Sequence, residues 1–144
     1  MIKPIGVFVM AVIFSPVWAA DGAALFAQSC ALCHQSTGEG VPGQAPPLAD
    51  RALWSGLGER APDYIAGVML AGLSGTLKVG PHVFSRLVMP PQDRMTDEEL
   101  TAIGNYVLET MNSSQERLTI TMLGKLRMEP PTHKQLVTMR PPTP

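Results

Sequence analysis

The sequence has little charge of either sign. Charged residues make up 16% of the 144-residue chain, and the formal net charge is −1 at pH 7. Proteins that bind nucleic acid use a strongly basic surface on the phosphate backbone, and this chain lacks one. We therefore expect no nucleic-acid partner.

Cysteine and histidine are also scarce, with two and three residues. A zinc site needs further Cys or His at ligand spacing, and a thioredoxin-like pair needs a βαβ context. Both cysteines instead fall in one motif, Cys30 and Cys33 followed directly by His34. This is the attachment motif of c-type haem, in which two cysteines form thioethers and the histidine ligates the iron. The chain has no second CxxCH and no strong repeat, so we predict one haem c.

The N-terminus has the features of a secretory signal peptide. Lys3 precedes an apolar run over residues 5–14, and small residues occupy the −3 and −1 positions of a cut after Ala19. A cut after Ala20 is the near alternative. The run is short for a membrane anchor and has no stop-transfer flank. We predict a signal peptide over residues 1–19, a periplasmic location and no membrane span after cleavage.

Local patterns predict a helical chain. Asp21 is a candidate N-cap for a helix that leads into the haem motif. Apolar residues at helical spacing predict a helix over residues 61–71, and a capping box from Thr96 to Glu99 opens another that runs to about Met111. No segment alternates long enough to require a sheet. The predicted fold class is all-α.

The last part of the chain, residues 113–144, is rich in proline. Residues 118–127 have the composition of a short helix, but Pro130, Pro131 and the later prolines disfavour regular structure. We predict an extended C-terminal arm that docks its apolar side chains on a redox partner. The predicted division is a signal peptide (1–19), a haem domain (20–112) and a Pro-rich C-terminal extension (113–144).

Most of the chain after the signal peptide resembles class I cytochrome c. Gly22 and Phe26 precede Cys30 at the interval of that family, and Tyr106 suits its aromatic position on the last helix. Pro46 matches the proline whose carbonyl accepts the second N–H of the ligand histidine. The resemblance implies a cytochrome c fold, with crossed N- and C-terminal helices around one covalently bound haem.

The resemblance also implies a methionine as the second axial ligand. Met89, followed by Pro90, occupies the place of the family's Met-Pro before the last helix. We therefore predict His34 and Met89 as the axial ligands of the haem iron. Met95 in the same loop is the alternative methionine. His82 is the alternative histidine, and bis-histidine ligation would lower the reduction potential.

Further side chains are candidates for contact with the haem. We assign Pro46 and Tyr64 to cofactor binding. Four residues either wall the haem pocket or form ordinary core: Trp54, Leu57, Tyr64 and Leu73. Three arginines are candidates for a haem propionate or a partner surface, although a solvated position suits any one of them better: Arg51, Arg60 and Arg86.

These features predict an electron carrier and no enzyme, with no catalytic residues. The expected partners are an electron-donor dehydrogenase and an electron-acceptor oxidase or cytochrome, because the extension resembles those of cytochromes that accompany periplasmic oxidoreductases. Two alternatives stay open. One is a haem enzyme or gas sensor with a displaceable sixth ligand. The other is a fixed relay or docking subunit of a larger complex.

Overall fold

The computed structural model describes residues 20–142, so the predicted signal peptide lies outside the described residues. No helix in the described range is long and apolar enough to cross a membrane. The chain is mainly helical, and a π-helical turn, Tyr106–Met111, continues its fifth α-helix. The elements in chain order are α1 (Gly22–Ser29), α2 (Ala31–His34), α3 (Arg51–Leu57), α4 (Ala61–Ala71), β1 (Leu73–Val79), β2 (His82–Met89), α5 (Asp97–Asn105), α6 (Ile120–Met128) and α7 (His133–Met139).

Side-chain caps start the first and fifth helices where the sequence predicts them. The Asp21 carboxylate accepts hydrogen bonds from two amides of the first turn of α1, at 3.0 and 3.2 Å. At α5, the Thr96 hydroxyl accepts from the amide of Glu99, and the Glu99 carboxylate accepts from the amide of Thr96. Each cap satisfies amides that have no partner within the helix.

Helices α1 and α5 pack closely against each other. A Cβ atom on Gly22 would overlap the carbonyl oxygen of Ala102, so only glycine permits this approach. Beside it, the rings of Phe26 and Tyr106 meet with centroids 5.5 Å apart. Phe26 is 1% exposed and belongs to the main core. The helix contact that the resemblance implies is therefore present.

The prediction of an all-α chain is only approximate, because β1 and β2 form an antiparallel hairpin with Leu73 opposite Met89. The register shifts between Gly75 and Leu77. Gly75 has a φ of 107° and Arg86, on the facing strand, a φ of 59°. Such irregularity interrupts the two-residue period from which a strand is read in a sequence.

The prediction of an extended C-terminal arm is wrong, because residues 113–142 contain α6 and α7. Thr119 caps α6, and Thr132 with Gln135 forms a capping box at α7. Pro130 and Pro131 lie between the two helices and interrupt neither. The Thr-x-x-Gln box is the sequence signal that could have identified α7.

Both extension helices pack on the rest of the chain. Leu118, Leu123 and Leu136 are each at most 2% exposed. The Asn105 side chain binds the backbone of Leu118 twice, since its Nδ2 donates to the carbonyl at 2.9 Å and its Oδ1 accepts from the amide at 2.8 Å. These leucines therefore belong to the core of the chain itself and are not free to dock on a partner.

Glycines on α4 and α5 leave room for the extension. A Cβ atom on Gly67 would lie 2.6 Å from Cγ of Pro131 and 2.8 Å from a methyl carbon of Leu136. One on Gly104 would lie 2.8 Å from a methyl carbon of Leu118. Contacts this short do not occur between real carbon atoms. The extension can therefore pack here only because both residues are glycines.

Candidate cofactor site

A largely apolar cavity lies beside α2. Its walls come from helices α1, α3, α4 and α5, from the hairpin, from the loops before α3 and α5, from the π-helical turn, and from Arg140 after α7. Apolar lining residues include Phe26, Trp54, Ile65, Leu87 and Leu100. Most elements of the chain therefore contribute to the cavity wall, whereas only a few segments contribute polar groups to it.

Helix α2 presents the CxxCH motif to this cavity. Ala31–His34 form a single helical turn that follows Cys30, and Cys30, Cys33 and His34 all line the cavity. Both cysteines are free thiols. Burial, with a smaller contribution from Cys33, raises the pKa of the Cys30 thiol to about 11. The two sulfurs therefore stand at the cavity wall without a disulfide between them.

The imidazole of His34 is buried and oriented by a single hydrogen bond. It is 7% exposed, and its Nδ1 lies 3.0 Å from the carbonyl oxygen of Pro46. A carbonyl can only accept, so Nδ1 carries the proton and Nε2 keeps its lone pair. Burial lowers the pKa of His34, and the bond to Pro46 opposes this shift. The ring is therefore held as the neutral tautomer that binds a metal through Nε2.

The loop that carries Pro46 is itself anchored. The carbonyl oxygen of Leu48 accepts from the indole N–H of Trp54 at 2.7 Å and from Nδ2 of Asn112 at 2.9 Å. These bonds tie the loop to α3 and to the end of the π-helical turn. Nothing in the sequence singles out Asn112, because a buried asparagine 64 residues away from its partner leaves no local signal.

Among residues 20–142, three methionines line the cavity: Met69, Met89 and Met95. Both predicted candidates for the sixth ligand are thus present in one site, with Met89 at the end of β2 and Met95 in the loop before α5. His82 is exposed at the start of β2 and is not among the described residues that line the cavity. The structure therefore gives no support to the histidine alternative.

The other predicted pocket residues divide into two groups. Trp54, Tyr64 and Leu73 line the cavity, and the rings of Trp54 and Tyr64 meet edge to face at 6.1 Å. Leu57 is buried in the core and is not part of the described lining.

None of the three predicted arginines lines the cavity within the described residues. Arg51 instead donates to the hydroxyl of Ser113 at 3.4 Å. The arginine at the cavity is Arg140, which donates to the hydroxyl oxygen of Tyr64 at 2.7 Å. Nothing in the sequence points to Arg140, because this residue lies in the segment that is expected to be extended.

The chemistry of this donor set fits a c-type haem. Two free thiols three residues apart stand at the wall of an apolar cavity, next to a neutral imidazole with an available nitrogen. Thioether sulfurs of methionine in the same cavity supply a ligand of the kind that accompanies histidine in cytochromes. Each group that the cofactor needs is therefore present in this chain.

Comparison with known proteins agrees with the site. Residues 19–111 match the family model of cytochrome c. Two proteins of Thermus thermophilus named cytochrome c-552 are 32% identical over 126 residues, which is 84% of this chain and 95% or 84% of the relative. The fructose dehydrogenase cytochrome subunit of Gluconobacter japonicus is 30% identical over 116 residues, covering 74% of this chain and 22% of that subunit.

A mainly helical fold with a CxxCH turn at an apolar cavity defines a haem protein of the c type. The chain belongs to the cytochrome c family, as a class I c-type cytochrome. It binds haem c covalently and is an electron-transfer protein.

Proposed function

We propose that the protein is an exported, periplasmic one-electron carrier with a single haem. Cys30 and Cys33 would hold it through thioethers, and His34 and Met89 would supply the two protein ligands of its iron. The observation that carries this proposal is that His34, with Nε2 available, shares one apolar cavity with Met89. Haem c, when bound, supplies the ferric–ferrous couple. Two protein ligands leave no iron position for a substrate, which favours a carrier over an enzyme.

The backbone around Met89 supports this residue as the sixth ligand. Met89 ends β2 opposite Leu73, and only Gly72 separates Leu73 from α4. A Cβ atom on Gly72 would overlap the Met89 carbonyl oxygen, so the two backbones are in close contact. Pro90 and Pro91 stiffen the chain that follows. A thioether sulfur held this way stays in place during oxidation and reduction, which keeps the reorganisation energy low.

The surroundings of the site favour the reduced state. The apolar lining disfavours the more highly charged oxidised centre, and a methionine ligand acts in the same direction. We therefore expect a relatively high reduction potential. Pro46 contributes by holding the His34 ring in one tautomer and one plane.

Redox partners are proposed on two grounds. The likeness to a cytochrome subunit of a dehydrogenase supports a dehydrogenase as the electron donor, with an oxidase or another cytochrome as the acceptor. Leu32, inside the haem motif, and Val88, beside Met89, are 86% and 76% exposed. Exposed apolar side chains next to both predicted ligands are suited to a transient contact at the haem edge. Two further predictions stay part of this proposal: the signal peptide over residues 1–19, and the boundary near residue 112 between the haem domain and the C-terminal extension.

Exchange of each candidate methionine tests the ligand assignment. Met89→Ala is expected to abolish the sulfur-to-iron absorption band of the oxidised protein, lower the potential and open the sixth position to carbon monoxide. The matched control is Met95→Ala, which lines the same cavity and is expected to change none of the three. Loss of the band in Met95→Ala would contradict the assignment.

Carbon monoxide also separates the carrier from a haem enzyme or gas sensor. The unsubstituted reduced protein is expected to bind it far more weakly than Met89→Ala. The absorbance of the reduced haem measures this binding. Ready binding of carbon monoxide to the unsubstituted protein would contradict a carrier with two protein ligands.

A further inference from the structure

The cavity holds one permanent charge that the proposed function does not use. Among the described residues that line it, Arg140 alone carries a charge at every ordinary pH. The guanidinium lies 5.8 Å from the centroid of the Tyr64 ring and donates through Nη1 to the Tyr64 hydroxyl at 2.7 Å. Arg140 is half-buried, and an anion at the cavity wall would pair with the part of its guanidinium that faces the cavity.

The lining within residues 20–142 offers no such anion. It contains no Asp or Glu, and its other titratable side chains are Cys30, Cys33, His34 and Tyr64. The guanidinium has five N–H groups, of which Tyr64 accepts one. Because the Tyr64 oxygen accepts that bond, its own O–H hydrogen stays available, and it has no hydrogen-bond acceptor in the described part of the chain. Several donors therefore converge at one point of the cavity wall.

We propose that Arg140 and Tyr64 together bind one propionate of the haem. A guanidinium fork matches the two oxygens of a carboxylate, and the tyrosine hydroxyl adds a third donor. Arg140 lies beyond residues 19–111, which match the family, so the C-terminal extension supplies this group. The site rests on bound haem c and is independent of which methionine ligates the iron.

Contacts on both sides hold Arg140 at the cavity. After it, Pro141 packs against α3, where a Cβ atom on Gly56 would lie 2.8 Å from the Pro141 ring. Before it, α7 is docked by His133, whose ring nitrogens lie 2.8 Å from the Ser74 hydroxyl and 3.2 Å from the carbonyl oxygen of Ala71. The extension thus places the guanidinium before the cofactor arrives.

The charge of Arg140 has a defined effect on the redox couple. Paired with the guanidinium, the propionate is ionised and its charge is balanced. Without Arg140, the pKa of the propionate rises and its negative charge is left unbalanced when it ionises. An unbalanced negative charge stabilises ferric over ferrous iron, so the potential falls. The oxidised protein also binds this proton less tightly, so the potential decreases further as the pH rises through the propionate pKa.

Redox titration of holoprotein variants tests the site. We expect Arg140→Gln to titrate at a lower potential than the unsubstituted protein and to acquire a dependence on pH in the mildly acidic to neutral range. The matched control is Lys134→Gln, which removes one positive charge from an exposed position of α7, the helix that precedes Arg140. Its potential and pH profile are expected to be unchanged. A propionate site is excluded when Arg140→Gln behaves as Lys134→Gln does.

Two further variants cover the case in which Arg140→Gln loses its haem. Tyr64→Phe keeps the ring and removes one donor, so its potential is expected to move in the same direction by a smaller amount. Arg140→Lys keeps the charge but not the fork, and it is expected to show only part of the pH dependence of Arg140→Gln. Potentials and pH profiles equal to those of the unsubstituted protein in both variants would overturn the proposal. Failure of the unsubstituted holoprotein to cycle reversibly would instead contradict the proposed function.

Discussion

The imidazole of His34 depends on residues outside the haem motif. Its hydrogen-bond partner, Pro46, lies twelve positions later in the chain, and the same loop is fastened through Leu48 to Trp54 and Asn112. Burial lowers the pKa of His34 and so favours the neutral ring. The protein thereby prepares a metal-binding nitrogen at the cavity wall before any metal is bound.

Loss of one motif cysteine is predicted to weaken haem attachment. Cys33→Ala leaves Cys30 as the single site for a thioether, so we expect a sharply lower yield of holoprotein. The haem of the unsubstituted protein is expected to resist extraction with acidified acetone. The control is Ser29→Ala, which changes a small polar residue of the same cavity wall and is expected to load haem normally. Equal yields from Cys33→Ala and Ser29→Ala would contradict the proposed thioether.

At the level of elements, helix α4 joins the haem cavity to the extension. Tyr64 and Ile65 line the cavity, whereas Gly67 contacts Pro131 and Leu136 of the extension. The helix is 11 residues long, and most of its residues are buried. The helix therefore forms a wall of the cofactor site and also packs against the extension.

Adding a methyl group at the contact between α4 and the extension is predicted to destabilise the protein. A Cβ atom on Gly67 would lie 2.6 Å from Pro131, so Gly67→Ala is expected to lower the free energy of unfolding by about 1–3 kcal/mol. The control is Gly124→Ala in α6, where the nearest atom is a carboxylate oxygen of Asp97 at 3.3 Å. At that position the higher helix propensity of alanine, about 1 kcal/mol, offsets the energetic cost of the close contact. Denaturant titrations followed by circular dichroism measure both, and a Gly67→Ala protein as stable as Gly124→Ala would contradict this packing.

Across the whole molecule, the extension is part of one core. Three of its leucines are at most 2% exposed, namely Leu118, Leu123 and Leu136, and Arg127 pairs with Asp97 at 2.7 Å. The Arg127 guanidinium also donates hydrogen bonds to backbone carbonyls of the loop before α5. That loop carries Met95, so the extension supports the cavity on two sides, at this loop and at Tyr64.

Removal of the extension is predicted to destabilise the whole protein. Each buried leucine that is lost costs about 2–5 kcal/mol, so a chain ending at Ser114 is expected to lose more than about 5 kcal/mol of unfolding free energy. Denaturation of the two holoproteins, followed by haem absorbance and circular dichroism, measures the difference. Single substitutions provide a check, since Leu136→Ala is expected to cost about 2–5 kcal/mol and Val137→Ala, at a 42% exposed position, much less. Equal stability of the full and shortened chains would mean that the extension does not contribute to the core.

The chemistry of the site can be read from the sequence alone. A c-type haem needs two thiols and a histidine at fixed short spacing, and such spacing is visible in five consecutive residues. Helix starts were equally visible, because the caps of Asp21 and Thr96 act within a single turn. The cytochrome c fold followed from the resemblance of a few spaced residues around this motif.

The contacts between remote parts of the chain become visible only in the folded protein. The hairpin is interrupted by its own bulge, and α7 is a short helix between prolines, so neither carries a periodic signal long enough to read. Asn112 and Arg140 each find their partner more than 60 residues away, at Leu48 and Tyr64. Contacts of this kind are set by how helices and loops pack, and packing depends on the whole chain at once, whereas a covalent attachment motif depends on local geometry alone.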